Sequence, residues 1–421
     1  MYHLYQVLIA LAIPLALLVL LRGGARGSVH GGRWRERLGD APEIADGLEV
    51  WVHAASVGEV QAASPLVDAL IGRYGEGRVG VTTMTATGSA LVRQRWGARV
   101  IHAYVPFDLP PLVRRRLAVW RPRAVVILES ELWPVLIREL ARRSIPVLIA
   151  NARMSPRSQR RYARLGGLVR GSVGRITAIA AQSADDAAAY RALGARQVEV
   201  TGNLKFDCAV PTAQQQAGEQ LRRWLSVSRP VWVAASTHEG EESAALAAHR
   251  ALLDAGVDAA LILVPRHPQR FDGVARQIAH AGFEFARRSD ASPAAGRPPP
   301  AVLLGDSMGE MFCYLAAADV AFVGGSLVPV GGHNVLEPAA LARPVLFGPA
   351  MHNQRPARAL LLEAGGGIEV ADAADLAAAV ARLLGNPDEA RRIGASAQAC
   401  LQAHAGATQR VLAVFDTLTP R

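Results

Sequence analysis

The stretch EVWVHAASVGEV (Glu49–Val60) decides the fold. Its first half is a short run of β-branched and aromatic residues. Its second half is a small-residue turn carrying Ser56, Gly58 and Glu59, which leads into the longer amphipathic stretch Val60–Tyr74. A strand that ends in a polar turn and enters a helix is the repeating unit of a parallel sheet. The unit recurs downstream. Candidate strands are Val79–Thr82, Ala124–Leu128, Pro146–Ala150, Ile176–Ala181 and Glu199–Thr201, with helical stretches such as Leu132–Arg143 and Ala184–Leu193 between them. A second series follows at Val231–Ala235, Ala260–Val264, Ala301–Leu304, Val320–Val323 and Val345–Gly348. Two such blocks predict an α/β fold of two doubly wound domains, over residues 30–210 and 211–400, with a C-terminal helix in 401–421 that can pack back on the first domain. The break is expected around Phe206–Gln216, where Pro211 precedes the polar helix Ala213–Trp224. Arg288–Pro300, rich in alanine and proline, reads as a surface loop.

The chain of 421 residues is 51% hydrophobic and 19% charged, which supports a large core and excludes global disorder. The formal charge of +10 suits a polyanionic partner, an anionic membrane or a phosphorylated substrate. The preference for arginine (Lys205 is the only lysine) reads as codon bias. No interleaving of aromatic and basic residues supports nucleic-acid binding. Three scattered cysteines without a CxxC argue for a reducing compartment and against a disulfide framework or zinc site.

Leu4 to Leu21 is an apolar run broken only by Tyr5, Gln6 and Pro14, followed by Arg22, Arg26, Arg33, Arg35 and Arg37. An apolar run of about 18 residues can span a bilayer core that thins slightly around it. The basic residues behind it place the rest of the chain in the cytoplasm. A cleaved signal peptide fits worse, because no Lys or Arg precedes the run. Residues 1–22 are therefore expected to form a membrane anchor, single-pass or monotopic, on inner-membrane lipids at the cytoplasmic face.

Ligands of doubly wound sheets bind at the carboxyl ends of the strands, and two such domains facing each other would form a cleft there. The polar loops fall at those ends. Glu59 at a strand-to-helix turn is a general-base candidate, although alone it is also an ordinary helix N-terminal acid. Gly58 would permit a tight turn and close approach of a ligand. Glu129 and Glu131 lie in ESELWP after the Ala124–Leu128 strand, as residues of a functional or structural cleft, and Arg153 in NARMS is suited to an anionic ligand. In the second half, Ser236 and Thr237 precede a helix, Arg266 and His267 follow a strand, and Met308, Gly309, Glu310 and Met311 form another strand-to-helix turn. In GGSLVPVGGHNVLEP (Gly324–Pro338), the N–H groups around Gly325 and Gly332 could hold a phosphate, and Asn334 and Glu337 open a helix. The chain has no GxxxxGK[ST], no GxGxxG after the first strand, no GxSxG and no metal-ligand His/Cys spacing. These absences disfavour a P-loop NTPase, a dinucleotide dehydrogenase, an α/β-hydrolase and a zinc hydrolase.

The stretches HAASVGEV, TTMTATGSA, VPFDLP, ESELWP, NARMS, GNLKFD, STHEGEE, LVPRHPQRF, GDSMGEM and FVGGSLVPVGGHNVLEP run from residue 53 to 338. In this order they resemble the Kdo (3-deoxy-D-manno-octulosonic acid) transferases of lipopolysaccharide synthesis. The resemblance implies a GT-B fold of two Rossmann-like domains. It implies transfer of Kdo from CMP-Kdo to the lipid A precursor lipid IVA, with inversion, and no cofactor or metal. It implies Glu59 as catalytic base and Arg266 as a ligand of the CMP phosphate. It also implies that the Met308–Met311 loop, Asn334 and Glu337 contact cytidine and ribose. The rival readings are a UDP-sugar transferase or epimerase of similar architecture and a membrane-tethered binding protein with a degenerate site. The number of sugars transferred and the oligomeric state are not fixed by any motif.

Overall fold

The computed structural model describes residues 1–24, 33–226, 228–290 and 299–419. Arg26 and most of the expected surface loop, residues 291–298, lie outside the described residues. The chain divides into two compact units, Met1–Asp207 with Ala405–Arg421, and Cys208–His404.

Among the described residues the strands form two seven-stranded sheets, and every pairing is parallel. The first unit holds β1 (Val50–His53), β2 (Val79–Thr83), β3 (Ile101–Tyr104), β4 (Ala124–Leu128), β5 (Val147–Ala152), β6 (Ala178–Ala181) and β7 (Val198–Val200) in the order 3-2-1-4-5-6-7. The second holds β8 (Val231–Thr237), β9 (Ala260–Pro265), β10 (Phe285–Arg287), β11 (Val302–Leu304), β12 (Val320–Val323), β13 (Val345–Phe347) and β14 (Gly367–Glu369) in the order 10-11-9-8-12-13-14. The central strands are apolar on both faces because helices cover both faces. Along β4, Val125 and Ile127 enter the core on one face of the sheet, while Ala124, Val126 and Leu128 enter the core on the other. Fully burying such a Val or Ile side chain contributes about 1.5–3 kcal/mol.

The sequence reading missed β3, β10 and β14, all of them edge strands. The last two are three residues long and only partly covered, too short and too polar to show a period.

The C-terminal helix Ala407–Leu418 belongs to the first unit, where Val411, Leu412, Val414 and Phe415 fill one of its two cores. Its N-terminus lacks a local side-chain cap. Asp207 supplies one, accepting from the N–H groups of Gly406 at 2.6 Å, Ala407 at 3.3 Å and Thr408 at 2.5 Å.

Helix α1 (Tyr2–Gly24) exposes Leu4, Val7, Leu8, Leu11, Leu15 and Leu18, a stripe at helical spacing. Tyr2 and Tyr5, at its start, pack instead against the core of the first unit. Among the described residues no helix is long and apolar enough to cross a membrane. Two of the arginines that follow the apolar run turn inward. Arg33 pairs with Glu36 at 2.6 Å and donates to Ser89, and Arg37 is buried and donates to Val105 O at 3.2 Å and to Met84 O.

Replacing Asp207 by alanine removes a cap of three N–H groups. The first unit is expected to lose about 1–2 kcal/mol, read as a lower urea midpoint with faster amide exchange in residues 406–412. An unchanged midpoint contradicts the cap.

Candidate active site

A doubly wound sheet opens a crevice where its strand order reverses, because the connections on either side run to opposite faces. In the first unit that point lies between the neighbouring strands β1 and β4. Their exits carry Ser56–Glu59 and Glu129–Glu131. In the second it lies between β8 and β12, with β9 on the other side of β8. Their exits carry Ser236–Glu241, Gly324–Glu337 and Arg266–His267. Topology alone thus groups these candidates within each unit, whereas Arg153 follows β5 and Met308–Met311 follow β11.

Helix α2 (Val57–Tyr74) begins at Ser56, whose hydroxyl accepts from Glu59 N. The Glu59 carboxylate reaches back to Ala55 N at 2.6 Å and accepts from Ser56 Oγ at 3.2 Å. This is capping-box geometry, so the ordinary structural role is real. The electrostatics add a second one. Burial pushes the carboxyl up from its ordinary 4.5 to about 7, aided by the negative charges of Glu129 and Glu131 and opposed by the Ala55 N–H. Among the described residues no arginine pairs with it. Gly58 does not have the positive φ that a tight turn would need. A Cβ there would meet only Ser56 Oγ at 3.9 Å, so glycine leaves the approach to the turn uncovered.

Glu131 lies beside the buried His53, Oε2 to Nε2 at 3.4 Å. Trp51 Nε1 donates to Thr82 Oγ1 at 2.8 Å, and the same hydroxyl lies 2.9 Å from His53 Nδ1. A hydroxyl that accepts from Trp51 can donate to Nδ1, which leaves the imidazole proton on Nε2, facing Glu131. Trp133 packs edge-on against the same ring, centroids 5.6 Å apart. Glu129 holds φ +58°, a conformation that costs a non-glycine residue roughly 1–3 kcal/mol and that collects at functional turns. Arg153 is exposed at the exit of β5.

In the second unit the organising group is Glu241, which sequence reasoning did not single out. Fully buried, it accepts from four backbone N–H groups: His238 at 2.9 Å, Gly325 at 2.6 Å, Ser326 at 2.9 Å and Leu327 at 2.9 Å. Gly324 must be glycine, since a Cβ would come within 2.8 Å of this carboxylate. The signal was the second glutamate of STHEGEE, an acid at a strand exit with no obvious solvent role.

This clamp corrects one expectation. The N–H of Gly325 is taken by Glu241, those of Gly331 and Gly332 by Gly325 O, and that of His333 by Gly324 O. They are not free for a phosphate, and the following helix, Leu336–Ala340, is a five-residue turn. Gly332 serves packing instead, because a Cβ would collide with Met351 Sδ at 2.1 Å. Thr237 is likewise occupied. It is buried and donates to Glu242 at 3.1 Å, while Ser236 beside it is half-buried at φ +56°.

Arg266 remains unpaired by any carboxylate among the described residues. Its charge is felt by His238, His333 and Glu337. His238 and His333 meet Nε2 to Nε2 at 2.7 Å, and His267 packs edge-on against His238. At that distance one ring nitrogen can donate to the other. Burial first, then Arg266 and the neighbouring imidazoles, push His333 down to about 4, so the ring is neutral near pH 7. Burial also raises the Glu337 carboxyl, which accepts from Asn334 Nδ2 at 3.2 Å.

Glu310 is held by Arg288, with Nη2 to Oε1 at 2.8 Å, and by Ser307 Oγ, and its carboxyl is lowered chiefly by that arginine. Arg288 had no motif to announce it. Met308 and Gly309 (φ +85°) are exposed, and Met311 starts the helix Met311–Ala317 against the core.

Two all-parallel seven-stranded sheets with polar exits at both reversal points define a GT-B-like α/β protein. The model of the family described as 3-deoxy-D-manno-octulosonic-acid transferase (kdotransferase) matches residues 32–208. The 3-deoxy-D-manno-octulosonic acid transferase of Haemophilus influenzae is 39% identical over 93% of each chain, and that of Bordetella pertussis 38% identical over 96% of each. The chain belongs to the 3-deoxy-D-manno-octulosonic acid transferase family. Among solved structures, the C-terminal CMP-Kdo binding domain of WaaA from Acinetobacter baumannii is 33% identical over 46% of this chain and all of that one, with a TM-score of 0.43. UDP-GlcNAc 2-epimerase from Neisseria meningitidis shares the fold, with a TM-score of 0.57 and 13% identity over 87% of this chain and 99% of that one.

Ionising Glu59 is harder in the folded chain than in the unfolded one. Its cost to stability therefore grows as pH rises from about 4.5 to about 7 and is constant above. Glu59→Gln removes that cost. The variant should match the parent near pH 4.5 and exceed it at pH 8 by about 1 kcal/mol after solvent screening, as a higher thermal midpoint. An equal midpoint at pH 8 would show that the carboxyl is not desolvated.

Glu241→Gln replaces one acceptor oxygen by a donor and leaves at least one buried N–H unpaired, at about 1–3 kcal/mol each. The second unit should unfold at lower urea, and amide exchange across residues 325–327 should quicken about tenfold. Unaltered values for both contradict the clamp.

Proposed function

We propose that this protein is an inverting glycosyltransferase that moves Kdo from CMP-Kdo to lipid IVA, without a metal, at the cytoplasmic face of the inner membrane. The observation that carries the reading is the Glu59 carboxyl, half-buried at a sheet's reversal point and tuned to about 7. A general base works best with a pKa near the working pH. A solvated capping acid would sit well below it.

In the proposed step an acceptor hydroxyl gives its proton to a Glu59 oxygen as its own oxygen bonds to the anomeric carbon of Kdo. The bond from that carbon to the phosphate oxygen breaks on the opposite side, and CMP departs with the electron pair. Positive charge on the sugar ring is met by the acidic group of Glu59, Glu129 and Glu131. Negative charge on the leaving phosphate is met by the unpaired guanidinium of Arg266, with His267 beside it. Neutral imidazoles at His238 and His333 can donate hydrogen bonds without closing an ion pair on the product. Asn334 and Glu337 are assigned to the ribose hydroxyls, and the exposed Met308–Gly309 turn to the base. Ser56, Gly58 and Arg153 are assigned to the acceptor side.

The anchor belongs to the same proposal in its monotopic form. The leucine stripe of α1 would lie in the interfacial layer of the bilayer, where the lipid acceptor resides.

The test is incubation with lipid IVA and a CMP-Kdo generating system, followed by mass spectrometry. The expected product is lipid IVA heavier by one or more Kdo residues. Turnover should rise with pH through about 7 and level above, as Glu59 loses its proton. Glu59→Gln should lower kcat by 10²–10⁴ while CMP affinity is kept, and Arg266→Ala should weaken CMP roughly 10- to 100-fold. Stabilisation by UDP and not by CMP, or a Glu59→Gln variant within about tenfold of the parent, would overturn the reading.

A further inference from the structure

The VPFDLP stretch has no part in the chemistry above, yet Asp108 within it is 2% exposed and carries a specific set of contacts. Its Oδ2 accepts from Val135 N at 2.9 Å and its Oδ1 from Leu136 N at 2.8 Å. These are first-turn amides of the helix Pro134–Ala141, whose own N-cap position, Trp133, provides no side-chain cap. Asp108 is therefore a cap delivered from another part of the chain. Among the described residues its one further hydrogen bond comes from the Tyr5 hydroxyl, at 2.9 Å, near the start of α1. The Tyr5 ring packs on the same core, and Arg138 of the capped helix lies over the Tyr2 ring at 4.3 Å.

The capped helix follows directly on the Glu129–Trp133 turn. That turn puts Glu131 at 3.4 Å from His53 and Trp133 against its ring. His53 ends the strand whose exit carries Glu59. An unbroken set of contacts thus runs from α1 through Asp108 to the acidic turn beside the candidate base.

We propose that Tyr5 is a positioning residue: by completing the hydrogen bonding of Asp108, it couples the seating of α1 to the placement of the Glu129–Trp133 turn next to Glu59. The role in turnover rests on the function proposed above, whereas the contact itself does not. A buried carboxylate that loses one of three donors holds the other two less firmly, because the charge it must keep is less well solvated. Loosening α1 then loosens the first turn of the capped helix and the loop before it. On this reading the helix that bears the leucine stripe is also a structural input to the site.

The experiment uses the full-length chain in detergent, with Tyr5→Phe, which keeps the ring and removes only the hydroxyl, and Tyr2→Phe as control. In Tyr5→Phe, amide exchange across residues 129–137 should quicken about tenfold, the scale of a lost hydrogen bond to a charged acceptor. Exchange in the second unit should not change. With CMP-Kdo and lipid IVA, kcat should fall on the order of tenfold with the KM for CMP-Kdo unchanged, as misplacement of a catalytic loop predicts. Tyr2→Phe should change neither. Unchanged exchange at 129–137 overturns the coupling. Quickened exchange with unchanged kcat overturns the positioning role. A parent protein without transferase activity overturns the proposed function instead, and the exchange comparison still decides the contact.

Discussion

Everything in both units depends on sheets whose two faces are both buried. A strand covered on both faces cannot carry a charged side chain without leaving it unsolvated, so polar chemistry is driven to the strand ends. At the ends near the reversal of strand order, neighbouring connections diverge and leave backbone and side chains reachable. The positions of Glu59, Glu129 and Arg266 follow from that. None of the three lies on a strand, and each lies within six residues of one.

The same scarcity of solvent sorts the carboxylates into two kinds. Asp108 and Glu241 are buried and accept three and four hydrogen bonds, and Asp207 accepts three from a helix N-terminus. Each binds segments distant in sequence, as a local capping residue cannot. Glu59 differs. Among the described residues it has one backbone donor and one hydroxyl, no cation, and two other acids close enough to raise its proton affinity. An acid that served stability alone would gain from the treatment Glu241 receives. That under-provision is what the proposed role of Glu59 as a general base calls for.

The alternation of strand and helix, the two-part organisation and the turns at strand exits were legible in the sequence, because buried parallel strands write near-continuous apolar runs. Edge strands such as Phe285–Arg287 do not write them, and they were missed. Individual roles were less legible than positions. Glu59 could be placed at a turn from SVGE, but whether it capped or reacted depended on burial and on Glu129 and Glu131, which are close in space and about seventy residues away in sequence. The glycine-rich segment misled for a related reason. Its composition suggests free N–H groups, whereas Glu241 and Gly325 O fill them. Glu310 and Arg288 show the reverse case, in which a motif residue is visible and its counter-charge lies in a stretch with no pattern.

Charge completes the argument. The chain is rich in arginine, and most charged groups near the sites are neutralised locally: Arg270 by Glu242, Arg288 by Glu310, Arg287 by Asp272 and Asp306. Among the described residues Arg266 is left without a carboxylate, while burial lowers the nearby His238 and His333 imidazoles, and Glu59 is left without a guanidinium among other acids. The displacement proposed above would build positive charge on a sugar and negative charge on a phosphate, and fields already in place serve such a step better than fields reorganised during it. In the second unit the fixing device is Glu241, whose carboxylate accepts from the backbone N–H groups of His238, Gly325, Ser326 and Leu327 and so holds the glycine-rich loop in place.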